Sequence, residues 1–147
     1  MKILSIIAVL GIFIAFKFKG MYHKIISIGL TVSVLLLWTS NNYFITISFI
    51  TVVLLTIATF VYGLTVKELN NFEKISIATM GVFLAISSIF KMQHLPLAGL
   101  IRLSMIVPII ITLVTFIKGK KITKEMSFMI FWLFYATLEF LKLFPIT

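Results

Sequence analysis

Arg102 and Glu139 are the residues whose types and placement most demand a chemical explanation, because each is a charge inside a long apolar run. A charge held in hydrocarbon is costly and marks a functional site by default. Arg102 lies seven positions beyond Leu95, and Glu139 twelve beyond Ser127. At a rise of about 1.5 Å per residue, these offsets are roughly 10 Å and 18 Å from opposite faces of the bilayer. In a hydrocarbon core of about 30 Å the two depths nearly coincide, in the outer half. Two consecutive antiparallel helices would bring the groups within reach, and pairing lowers the cost of burying either one. Tyr135, Glu139 and Lys142 follow at i, i+4 and i+7, a single helix face. Lys91 and His94 fall near the same interface. Three readings of this group stand open: an ion pair locking two helices, an outward-facing site for an anion or a lipid headgroup, and a proton relay through Glu139.

Other chemistry is poorly served. The chain has no Cys and no Asp, and its two histidines, His23 and His94, are expected on opposite faces. No His-x-x-x-His or Glu-x-x-His spacing occurs, so no metal site and no cofactor is expected. The serines have no placed base, so the chain is not expected to be an enzyme.

The elements that must position Arg102 and Glu139 are apolar runs. Of the 147 residues, 61% are apolar and 12% charged, with a mean hydropathy of +1.21. A soluble domain carries about a quarter charged residues. The composition therefore excludes a soluble globular protein, and it also excludes a disordered one. It predicts an all-α fold, a polytopic integral membrane helix bundle forming one domain over 1–147. Six transmembrane helices are expected at about 3–18, 25–40, 43–66, 75–91, 95–117 and 127–145. Runs three, five and six reach the 17 to 25 residues of a spanning helix easily, whereas runs one, two and four sit near the lower limit. The first run, bounded by Lys17 and Lys19 with no small-x-small cleavage site, reads as a membrane helix and not a removed leader. Asn41-Asn42 suits a tight turn, and the polar stretches 67–74 and 118–125 are too short for a separate domain.

Small residues supply the packing faces. Ala78, Gly81, Ala85 and Ser88 share one face of run four, and Thr59 and Gly63 form a similar pair on run three. Such residues let helix backbones approach where lipid gives no hydrophobic drive. Pro108 is expected to kink run five.

Thirteen basic residues stand against four acidic ones, giving a net charge of +9. They do not form a water-exposed stripe with interleaved aromatics, so no nucleic-acid partner is expected. They sit in the gaps between runs, where basic residues orient membrane proteins. With six helices, loops one, three and five hold Lys17, Lys19, Lys24, Lys67, Lys74, Lys118, Lys120, Lys121 and Lys124. The other side holds Lys2, Lys91, Arg102 and Lys142. The excess places those three loops in the cytoplasm and both termini outside, in a multi-pass protein of the cytoplasmic (inner) membrane. Its partners are the lipid bilayer and other membrane proteins.

Phe18-Lys19 precedes His23 and Gly29, much as Phe90-Lys91 precedes His94 and Gly99. Each set lies between the first and second helix of a three-helix half, which suggests a 3+3 inverted repeat of the kind transporters use. Chance recurrence of interfacial Phe, Lys and His is the competing explanation. The stretch Phe90-Lys91-Met92-Gln93-His94-Leu95-Pro96-Leu97-Ala98-Gly99 also resembles the hairpin region of the membrane subunit of Bacteroidota gliding and type 9 secretion motors. It is similar to a Phe-Lys-x-x-His-x-Pro-x-Ala-Gly pattern there, with Leu95 where an aromatic is usual. The resemblance implies a bacterial source and a two-helix segment carrying Lys91 and His94. It spans ten residues and carries no motor function. Two functions follow as expectations: a small subunit or scaffold of a larger membrane complex, or a small transporter or anion- or headgroup-binding protein using Arg102 and Glu139.

Overall fold

The computed structural model describes residues 2–39, 41–92, 98–119 and 123–143, and among these the chain is helical with no strand. The described helices are α1 Lys2–Lys17, α2 Tyr22–Leu37, α3 Asn42–Thr65, α4 Asn71–Met92, α5 Ala98–Ser104, α6 Ile106–Gly119 and α7 Met126–Leu141. Helices suit a hydrocarbon solvent because each satisfies its own backbone donors and acceptors. Large apolar side chains accordingly face outward along the bundle, among them Phe13, Leu54, Val107 and Ile117.

Three segments are long and apolar enough to cross a membrane: Asn42–Thr65, Asn71–Lys91 and Gly99–Gly119. This corrects the expectation for two runs. Run four is longer than expected because Asn70 and Glu73 form a capping box. The Glu73 N–H donates to Asn70 Oδ1 at 2.9 Å, and the Asn70 N–H donates to Glu73 Oε2 at 3.1 Å. Two otherwise orphan donors are satisfied, so α4 starts at Asn71 and not near residue 75. Run six is shorter than expected, since α7 has 16 residues. That is about 24 Å at 1.5 Å per residue. Helices α1 and α2 have the same length.

Run five differs as well. The predicted single helix over 95–117 with a kink at Pro108 is instead broken at Met105, one turn earlier. Pro108 has no N–H to offer the Ser104 carbonyl, and its ring crowds the preceding turn. The chain tightens there: the Met105 N–H bonds the Arg102 carbonyl at 3.2 Å, and Met105 O then accepts from Ile109. Pro108 falls in the first turn of α6, where its missing donor has no intrahelical partner anyway. Met105 is fully buried, which seats the bend in the core.

Helices α1 to α4 pack each against the next, α5 and α6 both pack on α4, α6 packs on α7, and α1 closes the ring against α7. Helix α7 also touches α2, α4 and α5, so it occupies the centre. Its Phe128, Met129, Phe131, Trp132 and Ala136 are buried. Small residues permit the closest crossings. A Cβ on Gly63 would lie 2.6 Å from Ala78 N, and one on Gly81 would lie 2.5 Å from Phe60 N. Between α1 and α7, a Cβ on Gly11 would lie 2.3 Å from the Ser127 carbonyl oxygen. Ala85 and Ser88, on the same face of α4, are buried. Thr59 does more than fill space: it donates to Leu55 O at 2.8 Å and accepts from Trp132 Nε1 at 3.0 Å, tying α3 to the central helix.

Candidate functional site: a carboxylate among three cations

Three helix ends converge on Glu139. Lys91 comes from the last turn of α4, Arg102 from α5, and Glu139 and Lys142 from the end of α7. The break at Met105 frees α5 to lean on both α4 and α7. A carboxylate near a helix C-terminus meets the negative end of the macrodipole, so Glu139 needs cations to be held there. Lys91 Nζ forms an ion pair with Glu139 Oε2. Lys142 Nζ donates to Oε1 at 2.8 Å. Arg102 Nε lies 3.9 Å from Oε2, in ion-pair range but too far for a hydrogen bond. Among the described residues, the buried Arg102 Nε has no hydrogen-bond acceptor.

Burial is graded. The Glu139 side chain is 2% exposed, against 21% for Lys91, 32% for Arg102 and 59% for Lys142. The carboxylate thus lies beneath cations that open progressively outward, with two more positive charges than negative. Lys91 Nζ also donates to Tyr135 OH at 3.4 Å and stands 5.4 Å from the Tyr135 ring centroid, a cation–π contact. Tyr135 stacks on Phe131, which fixes the ring. The structure therefore brings Arg102, Glu139, Lys142, Tyr135 and Lys91 together. His94, grouped with them from the sequence, lies outside the described residues.

A second polar group at the opposite end of the bundle was not singled out from the sequence. Tyr62 OH donates to Glu125 Oε1 at 3.0 Å, and Glu125 is buried just before α7. There the carboxylate faces the positive end of the α7 dipole. Its place immediately ahead of an apolar run was the available signal. Lys124 pairs with Glu68, joining the segment before α7 to the α3–α4 connection. That hydrogen bond from Lys124, reinforced by its charge, holds the Glu68 carboxyl below its ordinary value. His23 is buried, its Nε2 donating to the Ala15 carbonyl at 3.1 Å. Among the described residues no group of three or more His, Cys, Asp or Glu side chains has the arrangement of a metal site.

Residues 93–97 of the stretch that resembles the secretion-motor hairpin lie outside the described residues. No protein-family model, curated protein or solved structure matches the chain.

Proposed function

We propose that this chain is a six-span membrane protein that holds a phosphate-class anion at its Glu139 end, carried on a lipid headgroup or free. The observation that carries the reading is the surplus of cations: Lys91, Arg102 and Lys142 share one carboxylate, and among the described residues the buried Arg102 Nε is left without an acceptor. Arginine donors in a desolvated setting favour phosphate and carboxylate oxygens. Glu139 holds the cations together in the absence of the anion. The proposed topology puts this end and both termini outside the cytoplasm of a bacterial inner membrane. The 3+3 inverted arrangement draws support from the pairing: α1 with α2 corresponds to α4 with α6, and α3 with α4 to α7 with α1. The central place of α7 is a departure from it.

Binding of phosphatidylglycerol, phosphatidylcholine and inorganic phosphate to the purified protein tests the reading. Phosphatidylglycerol or phosphate should bind in preference to phosphatidylcholine, and Arg102→Met should weaken that binding about tenfold, equivalent to about 1.4 kcal/mol. Which of the two anions binds identifies its source. Equal binding of both lipids, no binding of phosphate, and no effect of Arg102→Met would refute the reading.

The second reading is a subunit or scaffold of a larger membrane complex. It is favoured by the 16-residue lengths of α1, α2 and α7. Helices shorter than the hydrocarbon thickness relieve the mismatch by thinning the bilayer or by associating. A purified species well above the mass of one chain supports it, and a lone monodisperse monomer in mild detergent counts against it.

A further inference from the structure

At the end opposite Glu139, a groove of about 940 Å³ opens between the first turn of α2 and the last turns of α3. Leu54, Ile57, Ala58 and Val61 form its floor. They follow at i, i+3, i+4 and i+7, so they make one apolar stripe along α3. All four are exposed. The stripe leads to a polar rim where Tyr62 and the buried His23 form the inner wall and Lys67 and Lys124 stand at the mouth. Glu68 engages Lys124, and among the described residues Lys67 has no ion-pair partner. Gly20 closes the near edge at φ +132°, a conformation that favours glycine, and a Cβ there would lie 2.8 Å from His23 Cε1.

We infer that this groove is a second site, which seats one acyl chain of an anionic phospholipid along the α3 stripe with its phosphate at Lys67 and Lys124. The volume falls within the about 300 to 1,000 Å³ typical of small-molecule sites. The order of surfaces, apolar floor and then cationic mouth, is the order of an acyl chain and an anionic headgroup. Charge complementarity selects the headgroup. Among the described residues, Glu68 is the one carboxylate at the mouth and is already engaged by Lys124, which leaves Lys67 to face the phosphate. A zwitterionic lipid fits the floor equally well but brings its own cation to a cationic rim. An anion without a tail would leave the α3 stripe uncovered. The site shares no residue with the Glu139 cluster, and it stands or falls separately.

Photoreactive-acyl phosphatidylglycerol and its phosphatidylcholine counterpart, each at low fraction in vesicles bearing the reconstituted full chain, test the inference by peptide mapping. Crosslinks should fall on residues 54–61 at least fivefold more often with the phosphatidylglycerol probe. Lys67→Gln, an exposed loop change that should not disturb folding, should abolish that preference. Ala58→Trp, which fills the floor from an exposed position, should remove the crosslinks there with either probe. Arg102→Met, at the other end of the bundle, should leave the pattern unchanged, which separates this site from the one proposed at Glu139. Equal crosslinking by the two probes at 54–61, or a preference that survives Lys67→Gln, would overturn the inference.

Discussion

Replacing Glu139 by Gln keeps the shape of the side chain and removes its charge, so it isolates what the three cations gain from it. At an effective dielectric of about 20, the gross attraction of a unit pair near 4 Å is about 4 kcal/mol, the scale for Arg102 at 3.9 Å. Most of that is offset by desolvation, and the net cost of breaking such a pair depends on how buried the abandoned partner is. Lys142 is 59% exposed and can turn to water, so its share belongs with surface pairs at about 0.2–1 kcal/mol. Lys91 is the most buried cation and is committed to Tyr135 as well, so its share should be the largest. Glu139→Gln should therefore destabilise the fold by about 2–4 kcal/mol, with three cations left to repel one another. Double-mutant cycles, read by denaturation in mixed micelles, should give coupling to Glu139 of about 2 kcal/mol for Lys91→Met, about 1 for Arg102→Met and less for Lys142→Gln. The Arg102→Met and Glu139→Gln double variant should recover part of the single-variant loss. Coupling that is largest at Lys142, or additivity within about 0.5 kcal/mol for the Lys91 cycle, would refute this account of the cluster.

Gly81→Ala should destabilise by about 1–3 kcal/mol, because its Cβ meets Phe60 backbone that cannot swing aside, whereas Gly99→Ala meets nothing within 4 Å among the described residues and should change stability little; the same micelle denaturation compares them. Cysteines at Thr39 and Lys118, at the α2–α3 turn and the end of α6, should label from opposite sides of a sealed vesicle if six segments span, and labelling from one side would sink that topology. Glu68 should titrate below the ordinary glutamate value, followed by carboxyl resonance in a ¹³C-labelled sample, and Lys124→Met should return it to that value. Since its folded pKa is depressed, the contribution of this pair is present above the unfolded pKa and is lost as pH falls through the folded one.

Hydropathy and depth carried much of the reading. Arg102 and Glu139 met because counting 1.5 Å steps from opposite ends is sound wherever two antiparallel helices bracket a short connection. Gly63 and Gly81 were legible as close-approach positions for a similarly local reason: lacking a side chain, they let Ala78 N and Phe60 N come near. Which face of each helix turns inward was not legible. Lipid tails are as apolar as leucine, so an outward Leu54 and an inward Leu84 read alike. For the same reason nothing marked α7 as the centre. The Asn70–Glu73 box was visible in the letters, yet the polar stretch around it read as loop and hid the start of α4. Pro108 signalled a disturbance without giving its position, because the break falls where the lost carbonyl partner and the burial of Met105 agree. Glu125 was passed over, and His23 was weighed only as half of a metal pair or of a repeat, because each lies beside lysines in segments that read as solvated connections, while their partners, Tyr62 and the Ala15 carbonyl, come from other elements.

The central position of α7 also bears on how the bundle is assembled. Chains emerge from synthesis in order, and earlier segments begin to fold first. On the six-span reading, α1 to α6 enter the membrane before Trp132 and Phe128 exist to fill the space between them. Until α7 arrives, Thr59 lacks its tryptophan donor, Ser27 lacks Ser127, and Lys91 and Arg102 have no Glu139 to gather around. On that reading the early helices await a keystone, and α7 completes the packing and the charge pairing together. A defect in α7 would act on assembly before it acted on any finished site, leaving an open intermediate with unpaired cations for the cell's membrane proteases to find.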